Sequence, residues 1–108
     1  MYNPSGLATM IAVKQKTDYD GRVYAKKNPG TKKVLVLSTE VFDLAMENGK
    51  AFHTGNHPVE MFVPLLHMKA AGFDFEIATP SGRSVALEEW AMPHKDEKVV
   101  AMRNSMTN

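Results

Sequence analysis

The segment "HPVEMFVPLLHMKAAGFDFEIAT", His57 to Thr79, decides the fold because it joins a helix to a strand through one glycine. Pro58 suits the first helical position, where its missing N–H would have no intrahelical partner anyway. The apolar residues that follow recur at helical spacing and predict one amphipathic stripe: Val59, Phe62, Val63, Leu66 and Ala70. Gly72 then stands where a left-handed residue closes a helix. Apolar and acidic residues alternate in Phe73–Thr79, which predicts a strand with one wetter face.

A second strand is expected before this segment. The run "KKVLVLS", Lys32 to Ser38, is continuously apolar at its centre, and that pattern is typical of a strand buried on both faces of a parallel sheet. Strand, helix and strand with short connections form a βαβ unit, which is nearly always parallel. The intervening residues Thr39 to Asn56 are expected to be loop-like. The sequence therefore predicts the α/β class, with a short C-terminal helix after "WAMPHKDEKV".

The N-terminal residues have a different composition. Met1 to Thr31 is rich in turn formers and charge, as in "NPSG", "DYDG" and "KKNPG", and we expect an irregular arm without a core of its own. Residues 32–108 form the α/β part. With 108 residues in total, the chain is long enough for one small domain at most.

Composition excludes several classes of partner and site. The formal net charge of +1 gives no electrostatic argument for nucleic acid or an anionic membrane, so neither is expected as a partner. No apolar run approaches the roughly 20 residues that a bilayer requires, and Gly6–Val13 does not resemble a signal peptide, so the cytoplasm is expected. The chain has no cysteine, which excludes a disulfide, a thiolate zinc site and a thiol nucleophile within it.

The βαβ layout also indicates where a ligand would bind. In open α/β sheets, ligands bind beyond the carboxyl ends of the strands. Ser38–Glu40 and Thr79–Gly82 follow the two predicted strands, and the helix that starts at Pro58 begins at the same end. The histidine-rich stretch before that helix therefore lies where a site is expected.

Two interpretations of this stretch involve its histidines and its glutamate. His53, His57 and Glu60 would suit a transition metal as a trio of two histidines and one carboxylate. However, Pro58 makes His53 a loop residue, so helical spacing does not bring it beside His57, and we expect no metal here. Glu60 is either a capping residue at the third helical position or a general acid/base. The pattern alone favours the cap.

Other sequence patterns give only weak indications of a functional site. Trp90 is expected to be a packed anchor and His94 a solvated turn residue. The turns "PSGR" and "NPG" lack the spacing of a phosphate-binding loop, and no nucleophile elbow occurs.

Three motifs resemble a known family. They are "NGKAFHTGNHPVE" (Asn48–Glu60), "AAGFDFEIAT" (Ala70–Thr79) and "EWAMPHKDEKV" (Glu89–Val99). They are similar to the N-terminal part of the heat-shock chaperone/glyoxalase III group of the ThiJ/PfpI superfamily, which is related to class-I glutamine amidotransferases. The resemblance covers roughly Asp18 to Val99, whereas Val100 to Asn108 departs from the pattern.

The resemblance implies a fold and a set of activities. It implies a flavodoxin-like parallel sheet flanked by helices, of which this chain contains only the N-terminal βαβ part, and usually a homodimer. Members of the group convert methylglyoxal to D-lactate without glutathione or an added cofactor. Deglycase, peptidase-like and holding-chaperone activities are also ascribed to them.

The resemblance also implies roles for individual residues. The group's chemistry rests on a cysteine at a strand-to-helix elbow, with a histidine and an acidic partner, and this chain contains no such cysteine. The glutamate that hydrogen-bonds the thiolate and relays protons corresponds to Glu60, so the resemblance favours the catalytic interpretation, which is compatible with the cap. The group's metal-binding positions hold Lys69 and Asp74 here, with the third near Met106, so no metal and no cofactor are expected.

The leading hypothesis is therefore an N-terminal portion of a glyoxalase III-like or chaperone protein. We expect no catalysis from this chain alone, because the nucleophile is absent. The expected partners are methylglyoxal in the complete protein, unfolded proteins as clients, and either further copies of the chain or a complementary C-terminal polypeptide. The alternatives are a non-enzymatic chaperone or interaction module and an inactive truncated remnant.

Overall fold

The computed structural model describes residues 5–7 and 15–106, and all structural statements concern these residues. In chain order the elements are β1 (Lys33–Leu37), β2 (Asp43–Ala45), β3 (Ala51–His53), α1 (Pro58–Ala70), β4 (Asp74–Ala78), a 3₁₀ turn (Glu89–Ala91) and α2 (Glu97–Met106). The predicted N-terminal arm, Met1–Thr31, lies partly outside the described residues.

The predicted α/β class with a parallel βαβ unit is confirmed. β1 and β4 pair in parallel, with Val34 opposite Phe75 and Val36 opposite Ile77. The pairing extends one residue past the strands, where the Ser38 N–H donates to the Ala78 carbonyl at 3.0 Å. α1 connects the two strands, so its N-terminus returns to the carboxyl end of β1.

Local sequence chemistry fixes both ends of α1. His57 is the N-cap, and its Nδ1 accepts the Val59 N–H at 3.2 Å. At the other end Gly72 has φ of 87°. The Gly72 N–H donates to Lys69 and the Phe73 N–H to Met68, both at 3.0 Å, which is the hydrogen-bond pattern of a Schellman motif. The predicted helix start and stop are therefore both confirmed.

The core lies on one face of the β1–β4 pair. Its buried residues come from α1, α2 and the segment between β4 and α2: Phe62, Leu65, Val85, Leu87, Met92, Val99 and Met102. Val36, Phe75 and Ile77 pack against this cluster from the sheet. The predicted stripe was partly wrong, because Leu65 is only 3% exposed while Val59 and Val63 are half-buried. α2 packs against α1 and shifts the buried face of α1. The 3.6-residue spacing of apolar residues in α1 carries no information about where α2 packs.

The prediction that β1 is buried on both faces is wrong for this structure. Exposure alternates along the strand, and Leu35 and Leu37 are 63% and 77% exposed. Both helices contact the core cluster on the opposite face, where Val36 packs. The described residues provide no layer to cover the Leu35 and Leu37 side, which we call the open face of β1.

The expectation that Thr39 to Asn56 is loop-like is also wrong. β2 and β3 form an antiparallel hairpin in which Asp43 pairs with His53 and Ala45 with Ala51. The turn is closed by the Met46 N–H, which donates to the Lys50 carbonyl at 2.8 Å. The Asn48-Gly49 pair in this turn is a recognised hairpin signal, so the sequence did carry the information.

Residues 15–31 contain no helix or strand and still dock on the α/β part. The Asn28 N–H donates to the Ala71 carbonyl at 2.7 Å, and the Tyr24 hydroxyl hydrogen-bonds His67 Nδ1 at 2.7 Å. The Thr17 N–H and hydroxyl both donate to Asp96 at the start of α2. The arm is thus held by specific polar contacts with both helices.

Replacing Asp96 with asparagine is expected to lower stability in a pH-dependent way. Burial raises the pKa of Asp96, but hydrogen bonds from Thr17 and the Val99 N–H outweigh it and hold the pKa below its usual 3.8. A lowered folded pKa contributes stability that is present above the unfolded pKa and disappears as pH falls through the folded value. We expect Asp96→Asn to lower the melting temperature at neutral pH, and the difference to vanish in acid. A difference that persists unchanged in acid would contradict a charge-dependent contact.

Candidate functional site

A cavity of about 360 Å³ opens at the carboxyl end of β1, against the first turn of α1. Its lining residues come from the end of the strand, the loop before the helix and the first helical turn: Val36, Leu37, Ser38, Gly55, Asn56, His57, Glu60 and Met61. This is the location that the βαβ layout predicts for a ligand.

The loop before α1 is held by a close backbone approach at Gly55. Gly55 has φ of 142°, and a Cβ added there would lie 2.8 Å from the Ala86 carbonyl oxygen. The neighbouring Asn56 side chain donates to the carbonyls of Thr39 at 3.1 Å and Ala86 at 2.8 Å. The Asn56 backbone also pairs with this segment through Leu87. Gly55 and Asn56 therefore fix the direction in which α1 starts.

Replacing Gly55 with alanine is expected to destabilise the fold by about 1–3 kcal/mol, because it combines an unfavourable φ with a backbone clash. Gly82 provides a matched control. It has φ of 80°, yet an added Cβ meets nothing within 4 Å. Gly82→Ala should therefore show only the smaller backbone cost of about 1 kcal/mol. Urea unfolding of both variants measures the difference, and equal losses would show that the close approach at Ala86 is unimportant.

Glu60 lies at the third position of α1 and lines the cavity. Its side chain is exposed, and its carboxylate forms no hydrogen bond with any residue among 5–7 and 15–106. The capping-box bond to the His57 N–H is therefore not formed, although the position in the first turn still favours a negative charge. The catalytic role expected from the resemblance stays a prediction.

The histidines and Glu60 do not form a metal cluster. Within the described part of the chain, no three His, Cys, Asp or Glu residues are grouped closely enough to hold a metal ion. The His53 ring stacks on Phe42 with centroids 6.4 Å apart, and the His67 ring contacts Tyr19 edge-on at 4.9 Å. His94 is exposed. Only His57 among the histidines lines the cavity at β1.

Trp90 is placed as a packing residue. It is half-buried in the 3₁₀ turn, and its Nε1–H donates to the His53 carbonyl at 3.2 Å. This bond links the hairpin to the segment that precedes α2.

A carboxylate that had no predicted role links the carboxyl ends of the two parallel strands. Glu40 accepts the Ser81 N–H at 2.8 Å and the Ser81 hydroxyl at 2.5 Å. The Ser81 hydroxyl, together with the Ser81 N–H, holds the pKa of the Glu40 carboxyl below its usual value. A second cavity of about 420 Å³ lies beside this link, at the end of β4. No sequence signal connects two segments this far apart, so the pair could not be predicted.

Comparison with known protein sequences identifies relatives of this chain. No protein-family model matches the chain. The chain is 48% identical over 96 residues to a protein of Pseudomonas aeruginosa strain LESB58 named protein/nucleic acid deglycase HchA. It is 52% identical over 84 residues to the protein of the same name from Escherichia coli strain K12/DH10B. These matches cover 89% and 78% of this chain but only 33% and 30% of the relatives, so the chain spans about a third of their length.

These relatives confirm the resemblance inferred from the motifs. The chain is similar to the N-terminal part of proteins in the glyoxalase III/heat-shock chaperone group of the ThiJ/PfpI superfamily. Within that group, its matched relatives are the deglycases named HchA.

One expectation about partners requires correction. The relatives' name includes nucleic acid, which runs against the expectation that nucleic acid is not a partner. That expectation rested on net charge, which bears on binding to the phosphate backbone but not on recognition of a single modified group. Among the described residues, no helix has the length and apolar character needed to cross a membrane.

Proposed function

We propose that this chain supplies the glutamate side of a deglycase or glyoxalase III-type site, with Glu60 as its general acid/base. The observation that carries the proposal is the Glu60 carboxylate in a cavity at the carboxyl end of β1, where no other described residue hydrogen-bonds it. The name of these relatives, protein/nucleic acid deglycase, supports the reaction class. The reacting thiol would come from polypeptide outside residues 1–108, because the chain has no cysteine.

The proposed chemistry requires a group that both takes up and returns a proton. Conversion of methylglyoxal to lactate moves hydrogen from the aldehyde carbon to the adjacent carbon and adds one water, with no external oxidant or reductant. A carboxylate within reach of both carbons performs such a relay as a general base and then as a general acid. Glycated groups on proteins or nucleic acids carry the same carbonyl-derived carbons, and they are included as proposed substrates.

The open face of β1 supports the proposal that the site is completed by further polypeptide. A continuously apolar strand is typical of the centre of a sheet, yet Leu35 and Leu37 are 63% and 77% exposed. We propose that residues 32–108 are the first part of a larger α/β domain and that residues 1–31 are an extension docked on it. The missing layer would be the rest of a longer protein, a complementary chain or a second copy.

Turnover of methylglyoxal tests this proposal directly. The purified chain alone is expected to form no D-lactate. A chimera in which this chain replaces the matching 96 residues of the Pseudomonas aeruginosa relative is expected to form it. D-lactate formation by the chain alone would overturn the requirement for an external thiol. A folded but inactive chimera would overturn the proposed role.

A second candidate function is a holding chaperone, and exposed apolar side chains favour it. Phe42, Leu44, Leu35 and Leu37 are 47% to 77% exposed. We expect the double variant Leu35→Lys/Leu37→Lys to abolish any suppression of client aggregation by the chain, because it removes the apolar surface of the open face. Glu60→Gln should leave that suppression unchanged. Light scattering of a heat-denatured client measures both, and loss of suppression in Glu60→Gln would contradict the chaperone role.

A further inference from the structure

The N-cap bond of α1 fixes the tautomer of His57. Nδ1 accepts the Val59 N–H at 3.2 Å, so in the neutral ring this nitrogen carries a lone pair. The ring proton must then lie on Nε2, since the bond made by one nitrogen determines the state of the other. The cap therefore turns the far side of the ring into an N–H donor.

The Nε2–H group has no competing use in the described structure. It is not among the buried polar atoms that lack a partner, and no hydrogen bond within residues 5–7 and 15–106 engages it. The other side-chain N–H group in the lining, that of Asn56, is already bound to the carbonyls of Thr39 and Ala86. Among the side chains of the described residues that line the cavity, His57 thus provides the N–H donor that remains available to a ligand.

His57 and Glu60 are arranged for joint action. His57 is the N-cap of α1 and Glu60 is its third residue, and both line the same cavity. One presents a neutral donor and the other an unengaged carboxylate. A carboxylate base combined with a neutral imidazole donor is an established arrangement for proton transfer next to a carbonyl.

We infer that His57 is a further catalytic residue, which donates its Nε2–H to the carbonyl oxygen of a small aldehyde or ketone substrate. This inference rests on the proposed function. Once the external thiol has added to the aldehyde carbon, Glu60 removes the proton from that carbon, and the His57 donor stabilises the negative charge that develops on the neighbouring carbonyl oxygen. Glu60 then returns the proton to the former carbonyl carbon, and water releases the thiol. No bond to His57 forms or breaks, and the ring keeps its proton throughout.

The tautomer of His57 can be measured on the chain itself, with a readout that does not require catalytic activity. Two-bond ¹H–¹⁵N correlation spectra of the ¹⁵N-labelled chain at neutral pH are expected to show His57 with the proton on Nε2 and an unprotonated Nδ1. A spectrum that shows the proton on Nδ1 would overturn the inference, because Nε2 would then have no hydrogen to donate.

The catalytic contribution is tested with His57→Asn in the chimera that completes the enzyme. Asparagine is a preferred N-cap, so it keeps an acceptor for the Val59 N–H and the fold is retained. Its shorter side chain lacks a donor at the position of Nε2. We expect kcat for methylglyoxal to fall about 10²–10³-fold, as for loss of one oxyanion donor, with KM changed only a few-fold.

The outcomes separate this inference from the proposed function. Full kcat in His57→Asn together with loss of activity in Glu60→Gln would overturn the role of His57 and leave the proposed function intact. Full activity in Glu60→Gln would overturn the proposed function and, with it, this inference. His57→Ser, which also retains a cap acceptor, should repeat the loss of kcat. If His57→Ser were fully active, the loss of kcat in His57→Asn would be due to the introduced asparagine itself, and the inference would be overturned.

Discussion

Replacing Glu60 with glutamine is expected to lower kcat for methylglyoxal by about 10²–10⁴-fold in the chimera with the Pseudomonas aeruginosa relative, which is the usual contribution of a positioned general acid/base. Glutamine has nearly the same shape but does not accept a proton at neutral pH. Because the Glu60 carboxylate forms no hydrogen bond within the described residues, the substitution removes proton transfer without breaking a structural contact. D-lactate formation by the chimera, assayed with and without the substitution, measures the effect.

A matched control separates the local chemistry from helix electrostatics. Glu97 occupies the first turn of α2, is exposed, and does not line the β1 cavity. Glu97→Gln therefore removes the same charge from the first turn of another helix, and we expect activity to be retained. The free energy of unfolding of each variant should stay within about 0.5 kcal/mol of that of the parent, as for most surface substitutions. If Glu60→Gln retained activity, Glu60 would be interpreted as a residue that stabilises the start of α1 and not as a general acid/base.

The parts of this structure that could be predicted depend on local chemistry. Pro58 and Gly72 mark the ends of α1 because the bonds they permit or omit involve residues only a few positions away. The alternation of apolar and acidic residues that predicted β4 is likewise a pattern of neighbouring positions in the sequence. Parallel pairing of β1 with β4 followed because a helix between two strands leaves few other topologies. The location of the cavity was then a consequence of the topology and not a separate prediction.

The features that escaped prediction depend on contacts between distant segments. The arm is held by Tyr24 against His67, and the strand ends are linked by Glu40 and Ser81, with no periodic pattern to indicate either pair. The open face of β1 is a different case. Its sequence is that of a strand covered on both faces, and residues 5–7 and 15–106 supply a layer on one face. The sequence thus indicates a neighbour that the described residues do not include.

Chemistry at the site was predictable only in part. The position of Glu60 followed from the helix start, whereas its role came from the resemblance of the motifs. The hydrogen bond from Val59 to His57 was not anticipated, since a histidine before a proline gives no indication of which ring nitrogen acts as the cap. The tautomer, and the donor that it creates, became evident only from the geometry.

Replacing Phe62 with alanine is expected to destabilise the chain by about 3–5 kcal/mol, the usual cost of deleting a buried aromatic side chain. Phe62 is 0% exposed and lies in the core cluster between α1, α2 and the sheet. Small domains are stable by only about 5–15 kcal/mol, so this loss removes a large fraction of the total. Urea unfolding followed by circular dichroism should show a much lower midpoint, and a loss below about 1 kcal/mol would show that this cluster is not the core.

Leu37 supplies the control, and it also tests whether the open face of β1 is covered in the chimera. Leu37 is 77% exposed, so Leu37→Ala should change the stability of this chain by no more than about 0.5 kcal/mol. In the chimera the same substitution should cost about 2–5 kcal/mol, because the side chain would then be buried under a second layer. The Phe62 cost should be similar in both contexts, since its surroundings lie within this chain. A Leu37 cost that stays near zero in the chimera would show that the continuous apolar pattern of β1 does not mark a buried interface.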